Sequence, residues 1–279
     1  MRKPLTWTWL GLVPFLAFAL AFEIIPVLTL VKSALLMDGR PSLGNFERAM
    51  SPAITGAFIN SIGLSFVSAL AGVVFGSLVA YAIITSPSAA ARHGLTALAD
   101  VTANFGGAPL AFAFIITLGS TGVVTLLLKQ VGIDIYPDFR IYSISGLAIA
   151  YVYFQMPLAI LLMIPALLGL RREWREASIS LGARSYEYWH HVAIPILKPS
   201  LLGCFFLLFA NAFGAYATAW TLTGSAVNLV TVQIAALVRG EVQLDPALAD
   251  AIAVVSLLIM MICVTLYQFL IRTRKASAK

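Results

Sequence analysis

Six apolar runs, each more than twenty residues long, leave this chain few ways to fold. They lie at about 9–31, 58–85, 105–128, 144–170, 200–222 and 249–271. A helix rises about 1.5 Å per residue, so about twenty apolar residues cross the ~30 Å hydrocarbon layer of a bilayer. A membrane-spanning strand needs only about ten. Inside lipid every backbone amide must find its partner within the chain, which a run of this length does by becoming a helix. The expected fold class is therefore all-α, a polytopic membrane protein with six transmembrane helices. Composition agrees: 60% of the 279 residues are hydrophobic and 11% charged, against about a quarter charged in a soluble domain.

The polar residues fall between the runs. Arg2 and Lys3 precede Trp7, Trp9 and the first run. Ala17-Phe18-Ala19 has the pattern of a signal-peptidase site, but the apolar run continues to Val31, so an uncleaved anchor is expected. Glu23, beside Pro26, is an intramembrane carboxylate, either functional or a hydrogen-bonded structural residue facing another helix. Residues 37–57 form a polar connection. The second run is rich in small residues (Gly63, Ser68, Gly72, Gly76, Ser77), which predicts a seam where another helix packs closely. A loop with Pro87, Arg92, His93 and Asp100 follows. Gly106-Gly107-Ala108-Pro109 opens the third run and predicts a bend or broken helix end. Residues 129–142 and 223–247 read as loops. The chain divides into an N-terminal segment 1–57, a main domain 58–271 with a polar loop at 171–199, and a basic tail 272–279.

The net charge of +6 does not point to nucleic acid, because the basic residues flank the apolar runs. With six spans both termini share one side. That side holds Arg2, Lys3, Arg92, Arg171, Arg172, Arg175, Arg184, Lys198, Arg272, Arg274, Lys275 and Lys279, twelve against six on the other. The bias puts both termini and the 171–199 loop in the cytoplasm. Cys204 and Cys263 lie inside apolar runs and read as free packing residues. No nucleophile triad, metal-ligand cluster or phosphate-binding glycine loop is present. The expectation is a chain without catalytic or metal-binding residues, binding no cofactor itself and hydrolysing no ATP. His190-His191 read as solvated surface or, in the alternative, a pH sensor.

Loop 171–199 carries the most specific signal. Glu173-Trp-Arg-Glu-Ala-Ser-Ile-Ser-Leu reads as a short helix that stops at Gly182, a residue suited to a left-handed C-cap. Ser185 reads as the N-cap of a second short helix, with Glu187 favouring its positive end. That helix is expected to end near Ile194, because Pro195 restricts its predecessor. An amphipathic helix–Gly–helix in an apolar chain is suited to docking.

The spacing resembles the EAA loop of importer permeases of the ATP-binding-cassette (ABC) superfamily. Glu176-Ala177-Ser178, Gly182 and Val192-Ala193-Ile194-Pro195 fall at the offsets of Glu-Ala-Ala, Gly and Ile-x-Leu-Pro. Ser178, Val192 and Ile194 are the small departures. The resemblance covers about residues 58–270 and implies the type I ABC importer permease fold, with the first span as an extra helix. It also implies the partners: two ATP-binding subunits holding ATP and Mg, a second permease subunit, identical or paralogous, and an extracytoplasmic solute-binding protein. The location implied is a bacterial-type cytoplasmic (inner) membrane, in contact with its lipid. Coupling to the ATPase is expected from Glu176, Ala177, Ser178, Gly182, Arg184, Val192, Ile194 and Pro195. Trp174, Tyr186 and Trp189 supply apolar anchors.

In the fifth run Asn211, Tyr216, Thr218 and Thr221 are candidate lining of a translocation path. Asn211 and Thr218, seven apart, share one helix face, which either lines a passage or bonds to neighbouring helices. Gly119-Ser-Thr-Gly-Val-Val, the Tyr-rich fourth run, Ser180-Leu-Gly-Ala and Phe213-Gly-Ala-Tyr-Ala-Thr-Ala resemble permeases of the spermidine/putrescine type. Ferric-iron, phosphonate and sulfate permeases share much of that pattern. An ion-driven secondary transporter is the rival from another class. It would show paired intramembrane charges and matching halves, where this chain has Glu23 alone.

Overall fold

The computed structural model describes residues 11–37, 39–241 and 243–277. Arg2, Lys3, Trp7, Trp9, Asp38 and Lys279 lie outside the described residues. The described chain is almost all helix: α1 Val13–Ala19, α2 Ile25–Ala34, α3 Gly44–Ala49, α4 Pro52–Thr85, α5 Ala89–Ala103, α6 Gly107–Leu118, α7 Val123–Gln130, α8 Ile144–Leu168, α9 Arg172–Ser180, α10 Ser185–Tyr188, α11 Ile194–Phe213, α12 Ala217–Thr223, α13 Val230–Arg239 and α14 Pro246–Ser277. A two-residue hairpin pairs β1 (Leu36–Met37) with β2 (Arg40–Pro41). Among the described residues six helical stretches are long and apolar enough to cross a membrane: Val13–Ala34, Pro52–Thr85, Gly107–Gln130, Ile144–Leu168, Ser185–Phe213 and Pro246–Leu270.

Several sequence expectations are corrected. The loop expected around Arg92 is the helix α5, started by Ser88, whose hydroxyl accepts from the Ala91 amide at 3.2 Å. Residues 223–247 contain α13. The third span has the expected helix break at Gly106-Gly107, where α5 gives way to α6 and Gly107 takes φ +69°, and it has a second break, not expected, at Gly119–Gly122 between α6 and α7. The basic tail is helical to Ser277, a continuation of α14.

The chain forms two compact units. One comprises the residues up to Thr55 with Gln233–Leu258. In it Asn45, 1% exposed, donates from its amide to the carbonyls of Ala34 and Leu36 at 3.2 and 3.0 Å. This stitches the end of α2 and β1 to α3. Arg48 pairs with Asp245, whose other oxygen accepts from the Leu248 amide at the start of α14. Along Val13–Ala34 only Ala34 is buried, and Glu23 is exposed.

The other unit comprises Gly56–Val232 and the residues from Ile259. Its core joins Leu64 of α4, Leu110 and Ala111 of α6, Leu147, Tyr151 and Phe154 of α8, and Ala219 and Leu222 of α12. Of the small residues of α4, Gly72 and Gly76 make the expected seam, while Gly63 faces open space. A Cβ at Gly72 would stand 2.9 Å from Gln155 Cβ, and one at Gly76 would stand 2.5 Å from Ala159 Cβ. Glycine lets the α4 and α8 backbones touch where lipid supplies no hydrophobic drive to hold helices together.

The helix after Gly182 does not end at Ile194. It continues as α10, a π-turn Trp189–Ala193 and then α11, one unbroken helix from Ser185 to Phe213. A proline ring clashes with the carbonyl four residues back and supplies no amide to it. A π-turn widens the helix just there. The first span does the same, with a π-turn at Leu20–Ile24 ahead of Pro26.

Candidate functional site

Loop 171–199 begins with α9, which ends as the sequence predicts. Gly182 takes φ +80°. Its amide donates to Ile179 O at 2.9 Å and the Ala183 amide donates to Ser178 O at 3.0 Å. This is the paired closure of a Schellman motif, which needs a left-handed residue at its turn. The cap of α10 differs from expectation. The N-cap is Arg184, not Ser185, and the Glu187 carboxylate accepts from the Arg184 amide at 2.7 Å.

Most of this segment faces outward. Glu176, Ala177, Gly182, Arg184, Ile194 and Pro195 are exposed, Ser178 and Val192 half-buried. Glu176 and Arg184 take part in none of the ion pairs among the described residues. Leu181 is 88% exposed and Tyr186 73%. Single exposed apolar residues mean little, but here several gather on one short polar element. Trp189 is not among the outward anchors. It is half-buried and meets the Tyr81 ring of α4 edge-on at 5.1 Å, beside the buried Tyr188. Tyr188 and Trp189 therefore root the segment on α4, while Leu181 and Ile179, which sequence reading passed over, supply exposed apolar surface with Tyr186 and Trp174. The His190 ring stacks on Tyr186 at 5.7 Å and touches the His191 ring at 4.6 Å.

The expected polar face of the fifth span is not a face of one helix. The chain leaves α11 at Gly214 and re-enters helix at Ala217. Tyr151 of α8, 1% exposed, satisfies the break by donating to Ala215 O at 2.7 Å. The break nonetheless collects Asn211, Tyr216 and Thr218 around one cavity of about 580 Å³. Asn104 and the Gly106–Gly107 backbone at the α5–α6 junction close it, with Phe154 of α8. Thr218 donates to Gly107 O at 3.3 Å, tying the start of α12 to the start of α6. Thr221 is not part of the lining.

Gln155 organises the polar edge. It is fully buried, donates to Leu208 O at 2.5 Å and accepts from Asn211 Nδ2 at 3.1 Å. An amide pair is the economical way to keep such groups inside an apolar bundle, because each satisfies the other. Gln155 was visible in the sequence as a polar residue deep in the fourth span; its pairing with Asn211, fifty-six residues away, was not. No charged side chain belongs to the lining among the described residues. What the cavity offers is hydrogen bonding from amides, a hydroxyl and backbone, together with aromatic faces.

No family model matches the chain. It is 29% identical over 167 residues to the thiamine transport system permease protein ThiP of Escherichia coli (strain K12). That match covers 60% of this chain but 30% of ThiP. A probable sulfate transport system permease protein, cysT, of Prototheca wickerhamii is 26% identical over 230 residues, 82% of this chain and 86% of the relative. In three dimensions the chain matches the crystal structure of a bacterial ABC transporter involved in the import of the acidic polysaccharide alginate. The TM-score is 0.72 at 16% identity, with 98% of this chain and 96% of the other covered. The fold is thus that of the membrane-spanning permeases of ABC transporters, with six candidate transmembrane helices.

Proposed function

We propose that the chain is the permease subunit of an ABC importer in a bacterial-type inner membrane, its domain at 58–271 forming half of a translocation pathway. The observation that carries this is the outward-facing helix–Gly–helix at 172–193, with EAA spacing, continuous with the helix that walls the cavity at Asn211. A second permease subunit completes the pathway. Two ATPase subunits, holding ATP and Mg, dock on Glu176, Ala177, Ser178, Gly182, Arg184, Val192, Ile194 and Pro195, and an extracytoplasmic binding protein delivers solute. The twelve-to-six bias of basic residues supports cytoplasmic termini. Closure of the ATPase dimer moves the lever and switches the cavity between sides.

The solute is a small one held by hydrogen bonds and aromatic contact. An organic cation of the polyamine type is favoured by the sequence segments given above and by Phe154 and Tyr216, whose ring faces attract cations. The competing reading takes an oxyanion such as sulfate or phosphonate, or else a ferric complex, and its anionic form is favoured by a lining that holds no carboxylate among the described residues. Relatives named for thiamine, a cation, and for sulfate bracket both. The deciding measurement is ATP hydrolysis by the complete complex in lipid, with its binding protein, against spermidine, putrescine, thiamine, sulfate and ferric ion. Stimulation by one identifies the solute. A complex that retains no ATPase subunit on purification overturns the importer reading itself.

A further inference from the structure

A second cleft, of about 640 Å³, lies away from the cavity at Asn211. Four arginines line it: Arg92 of α5, Arg171 at the N-cap of α9, and Arg172 and Arg175 of α9. Glu173 and Glu176 share α9 with Arg172 and Arg175, yet none of the ion pairs among the described residues uses any of the four guanidiniums. Arg171 instead lies over the Trp174 ring at 5.7 Å. Four like charges in one concavity repel one another, and among the described residues no carboxylate lines the cleft to offset them. Such an arrangement is stabilised by an anion from outside. Guanidinium forks match the paired oxygens of a phosphate, which accepts two parallel N–H bonds from each.

The remaining walls say where that phosphate comes from. Tyr81, Ile84 and Thr85 are the last turn of α4, and Leu167 and Leu168 the last turn of α8. Both helices are candidate spans, so the cleft opens where two spans end and polar chain begins. Trp189 and Tyr188 stand beside them. Aromatic rings with arginines at a span's end are the mark of the headgroup layer, and basic pockets between spans hold anionic headgroups. Leu168, 66% exposed, gives an acyl chain an apolar surface to follow.

We propose that this cleft binds a phosphate group at the membrane boundary, supplied by the headgroup of an anionic phospholipid. The site stands whether or not the chain transports a solute, and its test reads binding alone. The purified complex is placed in nanodiscs of phosphatidylglycerol or of phosphatidylcholine, and retained lipid is counted by native mass spectrometry. Inorganic phosphate is titrated in both. Phosphatidylglycerol is expected to be retained selectively. Each arginine lost should weaken retention about fivefold, and Arg92→Gln with Arg172→Gln about twentyfold. Arg92→Lys with Arg172→Lys, which keeps charge but loses the fork, should fall between parent and Gln variant. If the double Gln variant does not fold, Arg92→Gln alone reads the same site. Saturable phosphate binding in phosphatidylcholine, lost in the Gln variant, would keep the chemistry and assign it to a soluble source. Two outcomes overturn the proposal: equal retention of both lipids and of phosphate by parent and variant, or loss of the ATPase subunit from the variant with anion binding unchanged, which makes the cleft a protein interface.

Discussion

Asn211 donates its side-chain amide to Gln155 Oε1 at 3.1 Å, so a residue open to the cavity hangs on one that solvent does not reach. The two have unequal costs of removal. Gln155→Leu leaves Asn211 without its acceptor and takes away the bond to Leu208 O, a loss of about 1–3 kcal/mol by the penalty for orphaned polar groups. Asn211→Ala gives up one bond at a wetted edge, about 1 kcal/mol or less. In thermal unfolding of the detergent-solubilised protein the Gln155 variant should lose clearly more Tm. In solute-stimulated ATPase assays the order should reverse.

The α4–α8 seam predicts a contrast between two glycines on one helix. Gly76→Ala puts a methyl within 2.5 Å of Ala159 Cβ and 3.0 Å of Met156 O, so the helices must part. Overpacking of that kind costs about 1–3 kcal/mol. A Cβ at Gly63 meets nothing within 4 Å, and alanine there gains up to about 1 kcal/mol of helix propensity. Melting of the two variants in the same detergent should therefore move in opposite directions.

Gly182 at φ +80° is the joint between α9 and α10, the segment proposed to dock the ATPase. A β-branched side chain in the left-handed region costs about 1–2 kcal/mol, and the two closing bonds at Ile179 O and Ser178 O are then lost. Gly182→Val should insert and express near parent level, show faster amide exchange over 178–184, and transport poorly. Gly182→Asn, which tolerates that region, should keep most of the transport. Parent-like transport by the Val variant refutes the joint.

Glu176 is exposed, with no ion pair among the described residues, so it contributes little to the fold. Its proposed work is to meet a basic group on the ATPase, where a desolvated pair is worth a few kcal/mol. Glu176→Lys should leave the unfolding free energy within about 0.5 kcal/mol of the parent's. It should nevertheless recover less ATPase on co-purification, with transport falling in step. Equal recovery and equal transport would remove Glu176 from the docking surface.

Span existence was legible because lipid leaves a long apolar run one solution. The Gly182 cap was legible because left-handed geometry selects so few residues. Three things were not. The helix α5 carries Arg92, Thr96 and Asp100 at helical spacing, and polarity alone reads as loop, while α13 is an apolar helix of only ten residues inside a stretch read as loop. Pro195 reads as a stop, yet a π-turn absorbs the clash without breaking the helix. The break at Gly214 is held by the Tyr151 hydroxyl, sixty-four residues away, a tertiary contact outside any local pattern. That break undid the shared face of Asn211 and Thr218 while still bringing both to the cavity.

The unbroken helix Ser185–Phe213 has 29 residues, roughly 40 Å at about 1.5 Å per residue. A stiff bar of that length has no slack to lose. A tilt of about 10° imposed at Ser185 would sweep Asn211 through roughly 7 Å, more than the width of a hydrogen-bonded contact. Its widened turn at Trp189–Ala193 lies next to the place where Trp189 bears on Tyr81. The bar thus has its fulcrum near one end. A short stroke at the Ser185 end becomes a long one at the cavity.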